Sequence, residues 1–454
     1  MAHLTPDLQN YFGHMRQQGG VVVETLPKLD LDSYIKNYEG RTQFDRLLHI
    51  GRSSIPLCVD ALKAAVKEAK AGGDVGRYNE AWENIRVAAP HEPEAIKDEE
   101  WIARQKDINK KESTRLESNL SGYKQNGIKE SIRMGNEDLG QHYEQIGKLK
   151  EASDAYGRMR HEVSTTKHIM DCCQRLISVA LQRRDWSSII SNIAKISSIQ
   201  GVEDDRAMQP YIKIVSGIGY LGQGLFKEAA DNLLRADLSA PADTFNDIAT
   251  PNDVAIYGGL LALAVMDRGR LQTRVLDNPQ FRVFLETESH IRKAITHFVS
   301  GRYSACLSIL ESYKVDYLLD IYLSKHVENI FSQIRQKCIT QYFVPFSCVT
   351  LDSLNETFAH DGQSIEAELV DMIRSGSLNA RIDSESRLLV AVQSDPRLEM
   401  QYAALKAARK YEDEAKERLR RINLIAAGLE VKAGKQQPGG DAAWTESASL
   451  GAAS

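Results

Sequence analysis

The run Gly217-Ile218-Gly219-Tyr220-Leu221-Gly222 has residue types and spacing that could hold a cofactor. Three glycines in that order, after a strand and opening a helix, let the backbone approach a pyrophosphate and aim helix amides at it. Tyr211 to Val215 reads as strand-like, and Asp237 stands at a plausible distance for a ribose contact. A second explanation competes. Gly217, Tyr220, Gly224 and Ala229 repeat the spacing of Gly140, Tyr143, Gly147 and Ala152, with Leu233 answering Tyr156. The upstream copy lacks the remaining fingerprint glycines. Packing therefore accounts for both copies and a nucleotide for neither, so no cofactor is expected. On this reading Gly217→Leu wedges two helices apart, and Gly222→Ala is milder.

Other chemistry is absent from the sequence. His91-Glu92 and His161-Glu162 each lack the second histidine of a zinc site. Gly51-Arg52-Ser53-Ser54 lacks the second glycine of a nucleophile elbow, and no glycine-lysine pair precedes serine or threonine. No catalytic residue, metal or small-molecule substrate is expected, and the chain reads as non-enzymatic. A net charge of −5 gives no reason to expect nucleic acid or an anionic membrane as partner. No stretch reaches the roughly 20 apolar residues of a membrane span, and the N-terminus lacks the pattern of a signal peptide. Six scattered cysteines place the chain in a reducing compartment, cytoplasm or nucleus.

The elements that would position these residues are nearly all helical. Residues 1–28 have no clear period and read as a flexible extension. Residues 29–125 form a helical region ending in a long connector whose narrow seam includes Trp101, Ile102, Ile108 and Leu116. Residues 126–335 carry degenerate tetratricopeptide-like hairpins. The marks are Gly140, Tyr143, Gly147, Ala152 and Tyr156, then a weaker copy at Asp185, Trp186, Ile189 and Ile190. They return at Gly217, Tyr220, Gly224 and Ala229, with an echo at Gly301, Tyr303, Cys306 and Leu310. A lone hairpin cannot bury its apolar face, so stacking is the stable solution.

Residues 336–395 change character. A short β-branched stretch, two short helices around HDGQ, and alternating runs at Leu378–Ile382 and Leu388–Val392 follow the order of a winged helix. Its second helix holds Glu366, Glu368 and Asp371 against Arg374, a balance that repels phosphate. Residues 396–431 form one long helix whose apolar positions, among them Tyr411, Leu419, Ile422 and Leu429, step by threes and fours as a seam for partner helices. Residues 432–454 are expected to be disordered.

Helical repeats running into a winged helix resemble the PCI domain, taken to begin near residue 225. The stretches Leu29–Ile50, Tyr123–Tyr143, Pro251–Glu286 and Leu378–Leu389 are similar to the family of subunit one of the COP-nine signalosome. The resemblance implies a scaffold in the complex that strips Nedd8 from the cullins of cullin-RING ubiquitin ligases, with the isopeptidase zinc on another subunit. It implies that the winged helices of PCI subunits join edge to edge, here through Leu378, Ile382 and Leu388. Their C-terminal helices gather in a bundle, here through Tyr411, Leu419, Ile422 and Leu429, while the N-terminal repeat arm radiates outward to meet cullin-RING ligases. The rival within the family is the paralogous scaffold subunit of the 26S proteasome lid.

Overall fold

The computed structural model describes residues 5–38, 40–163, 165–199, 208–236, 245, 247–358, 364–392 and 396–429. The expected tail at 432–454, the HDGQ turn and Asp237 lie outside them. Two units divide the described residues: one runs to Leu378 and includes Ile382–Leu389, and the other holds Asn379–Arg381 and continues from Val390.

From Pro6 onward the N-terminal segment is not the flexible extension expected from the sequence. Helix α1 (Pro6–Gln17) starts on a proline at its first turn and buries Tyr11 and Phe12 in one core with α5 (Val75–Ala88). The Tyr11 hydroxyl donates to Asn84 Oδ1 at 2.7 Å. Beyond α1, Val23 pairs in parallel with Ser54. Helices α2 (Leu31–Ile35), α3 (Gly40–Ser53) and α4 (Cys58–Gly72) complete this region. The 28-residue α6 (Glu99–Asn126), capped by Asp98, buries only Ile102 and Leu120.

Hairpins α7/α8 (Lys129–Gln145, Leu149–Met159), α9/α10 (Thr166–Gln182, Trp186–Ser197) and α11/α12 (Met208–Gly222, Phe226–Leu233) then stack in series. Tyr211–Val215 lies inside α11 and is not a strand. An apolar run that short fits a buried helix as well as a strand, and periodicity cannot separate them. Each hairpin turns through the same helix-ending device. Gly147, Gly224 and Gly301 take φ of +82°, +76° and +77°, where a Cβ is costly, and Arg184 takes +57° in the second hairpin. The next residue's N–H then reaches back over the helix end: Lys148 to Tyr143 O, Asp185 to Ala180 O and Leu225 to Tyr220 O, each at 2.9 Å, and Arg302 to His297 O at 2.8 Å.

Helix α13 (Pro251–Val265) begins with a capping box between Thr250 and Asp253. It is followed by α14 (Arg268–Leu271), α15 (Pro279–Thr287), α16 (Ser289–Val299), α17 (Tyr303–Leu318) and α18 (Val327–Phe343). The chain then runs β1 (Cys348–Thr350), α19 (Leu351–Phe358), α20 (Glu366–Arg374), β2 (Ala380–Asp383) and β3 (Leu388–Ala391), with sheet order β1-β3-β2. That is the winged-helix order expected. Helix α21 (Pro396–Ala426) follows.

Candidate assembly surfaces

The glycines of the apparent fingerprint are packing positions. A Cβ at Gly217 would stand 2.5 Å from Leu233, at Gly219 2.9 Å from Ile190, and at Gly222 2.3 Å from the Trp186 ring. The upstream counterpart, Gly140, would meet the Tyr156 ring at 2.4 Å. Tyr156, Ala152 and Ala229 are fully buried. The Tyr156 hydroxyl donates to Glu144 at 3.0 Å, and that of Tyr143 to Glu117 at 2.6 Å. Tyr220 is half-buried and contributes its carbonyl to the turn at Gly224. Gly222 sits against a rigid indole, so alanine there is not the mild change expected.

A polar cluster that periodicity does not reveal joins α3 to the far end of the repeats. Arg46 is 0 % exposed. It donates to Asp253 Oδ2 at 2.9 Å and Asp320 Oδ2 at 2.7 Å, contacts the Tyr34 hydroxyl, and lies 4.0 Å from the centre of the Tyr38 ring. The Tyr38 hydroxyl reaches both Asp253 oxygens at 2.8 Å, and that of Tyr257 reaches Asp320 at 2.7 Å. Two backbone amides, of Tyr322 and Leu323, also donate to Asp320, each at 2.8 Å. Burial alone would depress the arginine, but Asp253 and the tyrosine oxygens outweigh it and hold the guanidinium charged. The two carboxylates differ. Burial raises Asp253 despite Arg46, whereas for Asp320 the effect of burial is exceeded by Arg46, Tyr257 and the Leu323 amide, leaving it lowered. Asp253 is thus the more readily protonated of the two.

Around this cluster the N-terminal segment is fastened along its length. The Lys28 amide donates to Asp316 at 2.9 Å, His49 Nε2 lies 3.2 Å from the Leu318 carbonyl, and Thr42 donates to the Asp247 carbonyl. These bonds hold Lys28, Thr42 and His49 against Asp316, Asp247 and Leu318.

The winged module has its own core of Leu354, Leu369, Met372 and Leu389. Arg335 on α18 grips Glu368 of α20 at 2.9 and 3.0 Å and donates to the Phe358 carbonyl at 2.6 Å, tying α19 and α20 to the last repeat helix. One of the acids of the would-be recognition helix is therefore engaged internally. Leu378, expected on the contact surface, is 3 % exposed and fills the module's core, because the chain enters β2 two residues later. Ile382 and Leu388 are half-buried, and Val390 is exposed. Strands β1 and β2 form the two edges of the sheet.

On α21 the expected seam is exposed, with Tyr411 at 73 %, Leu419 at 60 %, Ile422 at 59 % and Leu429, just beyond the helix, at 67 %. Tyr402, Leu405 and Ile425 are exposed beside them. Isolated exposed leucines are ordinary, whereas here the exposed apolar side chains recur along the whole helix. Among the described residues no three His, Cys, Asp or Glu side chains stand together as a metal site.

Comparison with known proteins agrees with this architecture. The family model described as 26S proteasome subunit RPN7 matches residues 98–274, and that of the PCI domain matches 310–392. The COP9 signalosome complex subunit 1 of Neurospora crassa is 49% identical over 431 residues, covering 95% of this chain and 94% of the relative. Its Arabidopsis thaliana namesake is 33% identical over 406 residues, 87% of this chain and 90% of that one. The 26S proteasome non-ATPase regulatory subunit 6 of Dictyostelium discoideum is 22% identical over 298 residues, 66% of this chain and 77% of the relative.

Proposed function

Because the chain belongs to the COP9 signalosome subunit 1 family of PCI proteins, we propose that it is a non-catalytic scaffold of that complex. The work of the assembly is to remove Nedd8 from the cullins of cullin-RING ubiquitin ligases, with the isopeptidase on another subunit. The observation that carries the scaffold reading is the exposed apolar row on α21, which suits a bundle of C-terminal helices. The sheet edge near Ile382 and Leu388 would join a neighbouring PCI subunit. The grip of Arg335 on Glu368 supports a rigid module that passes its orientation to the repeats. Cullin-RING ligases are the clients in this reading, and cytoplasm and nucleus its compartments.

Affinity purification of the tagged full chain from its own cells, with mass spectrometry of the partners, tests the assignment. Recovery of signalosome subunits in stoichiometric yield is expected. Recovery of proteasome-lid subunits in their place would assign the chain to the paralogous complex, a reading that the lower identity to proteasome subunits disfavours.

A further inference from the structure

The second hairpin departs from its neighbours at one position. Three equivalent turns use glycine, and the fourth holds Arg184 in the left-handed region at φ +57°. A side chain there carries a backbone cost that glycine avoids, and such strain persists where the side chain has a task. The Arg184 guanidinium lies 4.9 Å from the centre of the Tyr322 ring and 6.0 Å from that of Trp186. Among the described residues it makes no hydrogen bond or ion pair.

Arg184 lines a groove of about 430 Å³ between α3, α7 and α9, a volume suited to a small ligand. The other charged groups of the groove are occupied. Arg41 donates to Asp74, Gln182 and the Gln145 carbonyl. Asp45 pairs with Arg77 at 3.3 Å, and Glu144 accepts from Ser178 at 2.6 Å and Gln182 at 2.7 Å. Asp247 has a partner of its own, and Arg175, half-exposed at the rim, stands 3.8 Å from Glu137. A guanidinium fork with its donors open, backed by an aromatic face, matches the geometry of a carboxylate or phosphate.

We propose that this groove binds an oxyanion, the carboxylate or phosphate group of a small solute, with Arg184 as its principal contact. The site is separate from the assembly surfaces and does not rest on the scaffold reading.

The test is thermal denaturation of the full chain titrated with pyrophosphate or with citrate, against sodium chloride of matched ionic strength. For the wild type a saturable rise of roughly 2 °C or more over chloride is expected with at least one of the two. A response to pyrophosphate alone identifies a phosphate ligand, and a response to citrate alone a carboxylate. In Arg184→Gly and Arg184→Gln the rise is lost. Arg184→Gly without anion melts at or above the wild type, because glycine fits +57° without strain. The proposal is overturned by the absence of any rise over chloride, or by an equal rise in both variants. It is also overturned if anion-free Arg184→Gly melts several degrees lower, since the arginine would then be a clamp on Tyr322.

Discussion

Replacing Arg46 with methionine keeps the volume of the side chain and removes the cation that two buried carboxylates share. Asp253 and Asp320 cannot both stay ionised without it, so at least one further proton must be taken up. At pH 7 that means protonating a carboxyl about three units above its ordinary range, at about 1.36 kcal/mol per unit, or about 4 kcal/mol. The figure agrees with the 3–5 kcal/mol typical of breaking a buried ion pair. Proton uptake makes the deficit depend on pH, shrinking by about 1.4 kcal/mol for each unit of acidification, to about 1.3 kcal/mol at pH 5. Urea denaturation of wild type and Arg46→Met, followed by far-UV circular dichroism at pH 5, 6 and 7, measures it. A deficit that is constant across this range, or below about 1 kcal/mol at pH 7, would refute the reasoning. Adding Asp253→Asn and Asp320→Asn to Arg46→Met removes the stranded charges and recovers most of the loss.

The carboxylates themselves separate by pH. A raised Asp253 contributes stability below its unfolded pKa and loses it as pH rises through the folded value, while a lowered Asp320 contributes above its unfolded pKa and loses it on acidification. Asp320→Asn is therefore expected to destabilise more than Asp253→Asn at pH 7, by the same denaturation assay. Gly217→Leu and Gly222→Ala both lower the melting temperature, each by an amount equivalent to about 1–3 kcal/mol, since each Cβ meets Leu233 or Trp186 well inside contact distance. Arg335→Ala leaves Glu368 and the Phe358 carbonyl without their shared donor, costing about 1.5–3 kcal/mol and speeding hydrogen exchange in α19 and α20 ahead of the repeats.

Much of the architecture was legible because it repeats or punctuates. The shared spacing of Gly140 with Gly217 and of Gly147 with Gly224 marks two hairpins, and Gly376, at φ +76°, closes α20 before the wing as its glycine suggests. Helix α1 was not legible as a packed element: Leu8, Tyr11, Phe12 and Met15 do step by threes and fours, but the stripe is barely two turns long on a polar segment, and its burial depends on α5. Nor was the Arg46 cluster, whose partners lie 207 and 274 residues away, beyond the reach of any periodic pattern. The available signal was local: an arginine among Phe44, Leu47, Leu48 and Ile50, and an aspartate in the apolar start of α13. Gly222 and Leu378 depart from their sequence expectation for a related reason. The Trp186 indole against the first comes from the preceding hairpin, and the second stands just before its strand, in the module's core.

The scaffold reading stands most directly on α21, and the triple change Leu419→Asp, Ile422→Asp, Leu429→Asp tests it. Each fully buried apolar side chain contributes roughly 1.5–3 kcal/mol, so the three together supply several kcal/mol to a bundle and nothing to a chain in which they are already exposed. The measurement is co-assembly of the variant with the other subunits by native mass spectrometry, beside the melting temperature of the subunit alone. The account predicts an unchanged melting temperature and weakened co-assembly. A subunit that unfolds, or a complex that forms with undiminished affinity, would contradict it.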